Sequence, residues 1–139
     1  MGRELGRFRL PGVATSVPVA RHCVRAVLAG AGCSAGDVLL VVSELVANAV
    51  KHTRSGRPGG RVEIRLAQVA DGLIGVEVID EGSPTVPFPC EPVDGKESGR
   101  GLDLVDALAG MWGFRRYNWG RTGVWVQLPV ETKEETHVR

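Results

Sequence analysis

Four polar residues recur along one side of an otherwise apolar segment. Ten of the fifteen residues of VLLVVSELVANAVKH, positions 38–52, are apolar. A helix turns by about 100° per residue. On such a helix four polar residues fall within one stripe that is about 100° wide: Glu44, Asn48, Lys51 and His52. An acid on a mostly buried helix is costly unless something pairs with it, so we expect the stripe to line a cavity. The alternatives are the solvent-facing strip of an amphipathic helix and, for His52 alone, a cap or core partner.

A second candidate is the carboxylate of Asp80, at the end of the alternating stretch LIGVEVID. Because side chains alternate along a strand, Asp80 shares the core-facing side with Val76 and Val78. A buried acid at a strand end needs hydrogen-bond donors, and the exocyclic amine of a purine would serve as one. The alternative is a turn in which Asp80 accepts from nearby backbone amides.

A third candidate is ESGRGLDLV, positions 97–105, where Gly99 and Gly101 lead into a predicted helix. The amino end of a helix exposes unpaired N–H groups and the positive end of its dipole, which suits a phosphate. The third glycine of a dinucleotide fingerprint is missing, because position 104 is Leu, and the sequence has no GxxxxGK[ST]. Rossmann and P-loop sites are therefore excluded, and the absence of HExxH and GxSxG gives no support to a zinc protease or serine hydrolase.

Hydrophobic periodicity and Gly/Pro punctuation predict the elements that carry these residues. A helix capped by Thr15 or Ser16 ends near Gly30, and an Asp71-Gly72 turn predicts a hairpin. In chain order we expect a strand at 7–10, helices at 16–30 and 34–53, strands at 61–68 and 73–80, a helix at 102–108, and strands at 112–118 and 123–129. This order predicts an α+β two-layer α/β sandwich, with a mixed, mostly antiparallel sheet and helices on one face.

The 139 residues predict one domain, with its core at about 7–130 and a charged, frayed tail at 131–139. Residues 82–100 contain four of the eight prolines and three glycines. A segment so long and so rich in helix and strand breakers predicts a functional loop or lid.

The charge balance predicts no direct nucleic-acid or membrane partner. Seventeen Lys and Arg against sixteen Asp and Glu leave a net charge of +1, too small to recruit polyanions non-specifically. No apolar run approaches the roughly 20 residues of a membrane span, and the start MGRELGRFRL lacks the apolar core of a signal peptide. Three cysteines without a CxxC pair predict reduced thiols, and together these features predict a cytoplasmic protein.

The ordered set SELVANAVKH, DEGSP and SGRGLDLV resembles the histidine-kinase-like ATPase superfamily that gyrase, a heat-shock chaperone and DNA mismatch repair ATPases share. The size and the C-terminal GVWVQLP are similar to bacterial anti-sigma-factor serine/threonine kinases and their small actinobacterial relatives. The similarity covers most of residues 7–129. It implies the Bergerat ATP-binding fold, with ATP and Mg²⁺ as ligands.

The resemblance also implies a role for each matching residue. Asn48 would give an oxygen to a single Mg²⁺ that bridges the nucleotide phosphates. Glu44, one helical turn away, would be the general base. Asp80 would bind the adenine amine, and Gly82 would give the base room. The nucleotide-binding set is Asn48, Lys51, His52, Asp80, Gly82, Ser98, Gly99, Arg100, Gly101 and Leu102.

The resemblance leaves two functions open. The first is a serine/threonine kinase that phosphorylates a small anti-anti-sigma antagonist protein and so releases or captures a sigma factor. The second is a nucleotide-gated binding module without significant chemistry. Glu97 stands where such kinases often carry a basic residue, although Lys96 and Arg100 flank it. A partner would dock beside the lid, where Arg100 or the first helix, through Arg21 and Arg25, would offer charge to an acidic partner surface. A possible homodimer would use the first strand.

Overall fold

The computed structural model describes residues 2–82 and 100–132, with side chains from residue 103 onward in the second range. The five strands are β1 (Arg3–Pro11), β2 (Arg61–Ala70), β3 (Leu73–Asp80), β4 (Met111–Arg116) and β5 (Thr122–Pro129). The three α-helices are α1 (Ser16–Gly30), α2 (Gly36–His52) and α3 (Arg100–Leu108). Two single 3₁₀ turns are Arg54–Gly56 and Asn118–Gly120.

The strands form one sheet in the order β1-β2-β3-β5-β4, and each of the four pairings between them is antiparallel. The predicted hairpin joins β2 to β3 through Asp71 and Gly72, where Gly72 takes a φ of 73° that glycine adopts without strain. The expected α+β class with a mostly antiparallel sheet is confirmed, and no parallel pairing occurs among the described strands.

The core lies between the helices and one face of the sheet. Alternate residues of the central strands are buried there, among them Ile64, Leu66, Val76, Val78 and Val126. Seven residues of α2 are also buried, which agrees with its apolar sequence. Since burying one such side chain contributes about 1.5–3 kcal/mol, this layer holds α2 firmly against the sheet. No helix of the described ranges is long and apolar enough to cross a membrane.

Several element boundaries differ from the sequence-based expectation. β1 begins at Arg3 instead of residue 7, because it pairs with β2 as far as Gln68, across an irregularity between Glu4 and Gly6. The N-cap of α1, Thr15, has a helical backbone and makes no side-chain cap. α3 begins at Arg100, so that a glycine expected ahead of the helix lies in its first turn.

α2 begins at Gly36 instead of Ser34 because Ser34 serves another contact. The Ser34 amide donates to the Glu131 carbonyl at 2.8 Å, and the Glu131 amide donates to the Ser34 hydroxyl at 3.1 Å. The backbones of Cys33 and Thr132 also pair in an isolated antiparallel β-bridge. The first two residues of the predicted charged tail are therefore bound to the α1–α2 connection, and residues 133–139 lie outside the described ones.

Candidate functional site

The polar stripe of α2 divides into two parts. Glu44 and Asn48 are half-buried and lie one helical turn apart, next to the buried residues Leu45 and Ala49. Lys51 and His52 are exposed in the last turn. The pair that carries the predicted chemistry is thus held by a packed helix, whereas Lys51 and His52 lie at its solvent-exposed end. Whether the stripe lines a cavity stays a prediction, because residues 83–99 of the predicted lid at 82–100 lie outside the described residues.

Asp80 lies at the end of β3 with 8% of its surface exposed. The Gly82 amide donates a hydrogen bond to its Oδ1 at 2.7 Å, and the Thr122 hydroxyl donates to the same oxygen at 2.8 Å. The first contact is the local turn that the sequence left open as an alternative. Since both contacts use Oδ1, neither engages Oδ2, and a ligand donor could bind this second oxygen.

Burial raises the pKa of the Asp80 carboxyl. The hydrogen bonds from Thr122 and Gly82 oppose this effect, and the charge of Glu81 adds to it. The ionised carboxylate is therefore less stable here than in water. A ligand N–H group that donated to it would favour the charged form, which is the electrostatic requirement for recognising an exocyclic amine.

A short polar connection joins the end of α2 to the end of β3. The Thr53 hydroxyl donates to the Ala49 carbonyl at 2.7 Å and accepts from the Ser55 amide at 3.0 Å. Ser55 is fully buried, donates its hydroxyl to the Arg61 carbonyl at 2.7 Å, and accepts from the Glu81 amide at 3.0 Å. These bonds fix the helix that carries Glu44 and Asn48 relative to the strand that carries Asp80.

The sequence did not reveal Ser55 as part of this connection, because RSGRPGG is typical of an ordinary surface turn. The available signal was a pair of hydroxyl residues, Thr53 and Ser55, directly after a buried helix, since such residues bond to nearby backbone. Thr122 was missed as well. Its contact with Asp80 depends on the pairing of two strands that lie about forty residues apart.

Gly82 is required by its backbone conformation and by a close neighbour. Its φ is 90°, a value that L side chains rarely adopt, and a Cβ there would overlap the carbonyl oxygen of Gly120. The Arg54 amide donates to the Gly82 carbonyl at 2.7 Å. The β4–β5 turn and the end of α2 therefore meet at this glycine. The resemblance implies that Gly82 leaves room for the adenine base of the nucleotide, and this stays a prediction.

The phosphate-binding part of the predicted site falls partly on residues that the structure leaves undescribed. Ser98 and Gly99 lie outside the described residues, as do Glu97 and Lys96. Arg100, Gly101 and Leu102 form the first turn of α3. A helix does begin where the glycines predicted one, and its role toward phosphate stays a prediction.

The side chains present fit one Mg²⁺ bound together with a nucleotide. Among the described residues, no three His, Cys, Asp or Glu side chains cluster in a way that could hold a metal. Mg²⁺ does not need such a cluster, because it is usually bound through one or two protein oxygens together with substrate phosphates and water. Asn48 and Glu44 supply oxygen atoms of this kind, and Asn48 would hold the ion.

These features define a class of protein: an α+β ATPase domain, with an antiparallel sheet covered by helices on one face and polar groups at the ends of α2 and β3. The chain belongs to the histidine kinase-like ATPase domain family, whose model matches residues 10–128. An ATPase domain implies that ATP is bound. No curated protein sequence matches the chain.

Two solved structures have a similar fold. One is the structure of the RsbU and RsbW domains of Rv1364c from Mycobacterium tuberculosis, with a TM-score of 0.66 and 20% identity over 94% of this chain. This chain spans 35% of the length of that one. The other is the SiaB–SiaC complex from Pseudomonas aeruginosa, with a TM-score of 0.56, 13% identity, and coverage of 91% of this chain and 90% of the other. At these identities the likeness concerns the fold.

Proposed function

We propose that this protein is an ATP- and Mg²⁺-dependent anti-sigma-factor-type serine/threonine kinase that phosphorylates a small antagonist protein. The observation that carries the proposal is the arrangement of Glu44 and Asn48 on one turn of α2, tied through Ser55 to the end of β3 near Asp80. Adjoining elements thereby hold three groups: the Glu44 carboxylate as a proton acceptor, the Asn48 oxygen as a metal ligand, and the Asp80 carboxylate as an acceptor for an amine.

In this proposal each residue has one task in the transfer of the γ-phosphoryl group. Asp80 binds the exocyclic amine of adenine through Oδ2, while Gly82 and Thr122 keep Oδ1 in place. Asn48 holds Mg²⁺, which neutralises charge on the phosphates when bound. Glu44 accepts the proton of a serine hydroxyl on the antagonist. The serine oxygen then forms the new bond to phosphorus, the bond to the β-phosphate oxygen breaks, and ADP leaves.

A second candidate function is a binding module that is gated by nucleotide and performs no significant chemistry. Glu97 favours it, because an acidic side chain at that position would repel the terminal phosphate instead of attracting it. In either case we propose a sigma factor and its antagonist as partners, a cytoplasmic location and a possible homodimer through β1 and α1.

The deciding experiment identifies the substrate and the chemistry together. Proteins that co-purify with the chain in ATP and not in ADP are purified and incubated with it and with ATP labelled in the γ-phosphate. The kinase proposal expects label on a serine of one partner, with loss of at least about 10² in rate for Glu44→Gln. Partner binding that depends on ATP without any transfer of label would support the binding module instead.

A further inference from the structure

The face of the sheet opposite the helices carries charged side chains. The cross-strand register places Arg9 beside Glu63, Arg7 beside Arg65, and Arg65 beside Glu77. Since alternate residues point to opposite faces, all of these project away from the buried core. We call this surface the arginine face, and it consists of Arg7, Arg9, Arg65, Arg115, Arg121, Glu63 and Glu77.

One carboxylate, that of Glu63, is shared by four guanidinium groups. Its oxygens lie 2.9 Å from Arg65, 3.4 Å from Arg121, 3.7 Å from Arg9 and 3.8 Å from Arg7. Burial acts to raise the pKa of the Glu63 carboxyl, but the hydrogen bond and charges of the arginines outweigh it and hold the pKa below its usual value. The Glu63 side chain is 7% exposed, whereas those of the four arginines are 34–63% exposed. The accessible surface around Glu63 is therefore mainly cationic, although the exposed Glu4 pairs with Arg7 at 3.3 Å.

The second carboxylate helps to hold the arginines in place. Glu77 accepts a hydrogen bond of 2.7 Å from the Tyr117 hydroxyl and lies 3.6 Å from Arg115. The guanidinium carbons of Arg65 and Arg121 lie 5.9 Å and 5.7 Å from the centre of the Tyr117 ring, within the range of a cation–π contact. The arginines are thus oriented before any ligand arrives, which lowers the entropy lost on binding.

A groove of about 590 Å³ runs along this face. Arg65, Glu77, Arg115 and Trp125 are among its lining residues. The groove is also lined by Gly75, which adds no side chain to it. Two of the five arginines, Arg65 and Arg115, thus border a depression with an aromatic wall, and the other three lie elsewhere on the same face.

We propose that the arginine face is a docking surface for an acidic, extended segment of a partner protein. The carboxylates of this segment would bind Arg9 at one end of the face and Arg115 at the other. An apolar side chain of the same segment would enter the groove beside Trp125. Four strand spacings of about 4.8 Å separate β1 from β4, and an extended peptide of about six residues spans that distance. Bidentate pairing with guanidinium groups is a favoured way of binding carboxylates.

Charge complementarity selects this occupant over two others. A second copy of the chain, packed face to face, would set arginines against arginines. A nucleic-acid backbone is disfavoured because a chain with a net charge of +1 attracts a long polyanion only weakly. The surface lies on the side of the sheet away from α2, so the proposal does not depend on the kinase assignment.

The probe for the test is a fluorescein-labelled peptide of about ten residues, with Glu at alternate positions and one central Trp. Its binding to the full chain is followed by anisotropy at about 50 mM salt, where screening is modest. We expect the acidic peptide to bind and the same peptide with Gln in place of Glu to bind at least about tenfold more weakly. The double variant Arg9→Gln/Arg115→Gln, which changes two exposed side chains, should weaken binding by about tenfold.

The matched control is Arg3→Gln/Arg57→Gln, which removes two exposed arginines outside the arginine face and should leave binding unchanged. Glu63→Gln should have the opposite effect and tighten binding, because it removes the carboxylate that the arginines share. If Glu63→Gln does not fold, the comparison of the Arg9/Arg115 double variant with the control double variant decides the test. Undetectable peptide binding, an equal loss in both arginine pairs, or tighter binding of a single-stranded oligonucleotide than of the peptide would overturn the proposal.

Discussion

The Thr122 hydroxyl donates a hydrogen bond of 2.8 Å to Oδ1 of Asp80, across the antiparallel pair of β5 and β3. A residue near the end of the chain thereby orients the carboxylate that the sequence singled out as a site residue. The same oxygen accepts from the Gly82 amide, so the orientation of Asp80 is determined before a ligand binds.

Asp80→Asn is expected to stabilise the ligand-free protein at pH 7 and to weaken ATP binding. Asn keeps an acceptor for Thr122 and Gly82 but carries no charge. The raised pKa of Asp80 means that its protonated form stabilises the fold at low pH, and that this contribution is lost as pH rises through the folded pKa. The gain from Asn should therefore shrink as pH falls toward 3.8, the ordinary pKa of an Asp carboxyl.

Thermal unfolding of Asp80→Asn between pH 4 and 7, together with titration by ATP, measures both effects. We expect a loss of about tenfold or more in ATP affinity, since a hydrogen bond to a charged group is removed. Asp71→Asn, in the exposed hairpin turn, is the matched control. A lower melting temperature at pH 7 with unchanged affinity would refute the assignment.

Asn48→Ala is expected to remove most of the stabilisation by ATP and Mg²⁺. ATP at 100 times its dissociation constant should stabilise the parent protein by about 2.7 kcal/mol. The variant loses the oxygen proposed to hold the metal, and differential scanning fluorimetry would show the missing shift. Gln68→Ala removes a β2 amide whose partner is Arg3 and should keep the full shift. If Asn48→Ala also keeps the full thermal shift, Asn48 does not bind the metal.

Glu44→Gln is expected to bind ATP nearly as well as the parent protein while losing catalysis by about 10² or more. The proposed base contacts the attacking hydroxyl group and not the nucleotide, so binding and chemistry should separate. Slow ATP hydrolysis is the practical assay, with calorimetry for affinity. Asp37→Asn, in the first turn of the same helix, should change neither. Equal losses of binding and rate in Glu44→Gln would contradict its role.

Ser55→Ala is expected to lower the free energy of unfolding by about 1–3 kcal/mol, because it leaves the Arg61 carbonyl and the Glu81 amide without their buried partner. ATP affinity should fall as well, since this hydroxyl joins α2 to the end of β3. Urea unfolding and ATP titration measure the two effects. Ser34→Ala, which removes an exposed hydroxyl, should lower the free energy of unfolding by less and leave ATP affinity unchanged. Destabilisation without any change in affinity would limit Ser55 to a structural role.

Trp119→Gly is expected to be more stable than Trp119→Ala by about 1 kcal/mol. Trp119 has a φ of 66° and is 89% exposed, so either change removes little buried surface. Only glycine adopts this conformation without strain, although its freedom in the unfolded chain offsets part of the gain. Denaturant midpoints of the two variants give the difference directly. Equal stability would show that the turn relaxes to a negative φ.

The sequence alone determined the features that depend on neighbouring residues. The apolar run of α2 specified a buried helix with Glu44 and Asn48 one turn apart, because helical periodicity acts within a few residues. Alternation and the Asp71-Gly72 turn specified the β2–β3 hairpin for the same reason. The three ordered motifs then indicated the family that the domain match confirms.

Only the tertiary structure decided what depends on residues far apart in the chain. The insertion of β5 between β3 and β4 brings Thr122 to Asp80, and the return of the chain after α2 brings Ser55 to Glu81. The four arginines around Glu63 come from β1, from β2 and from the residue just before β5. Such contacts follow from strand order and register, which are set by the summed packing of the whole core and leave no signal in any short stretch of sequence.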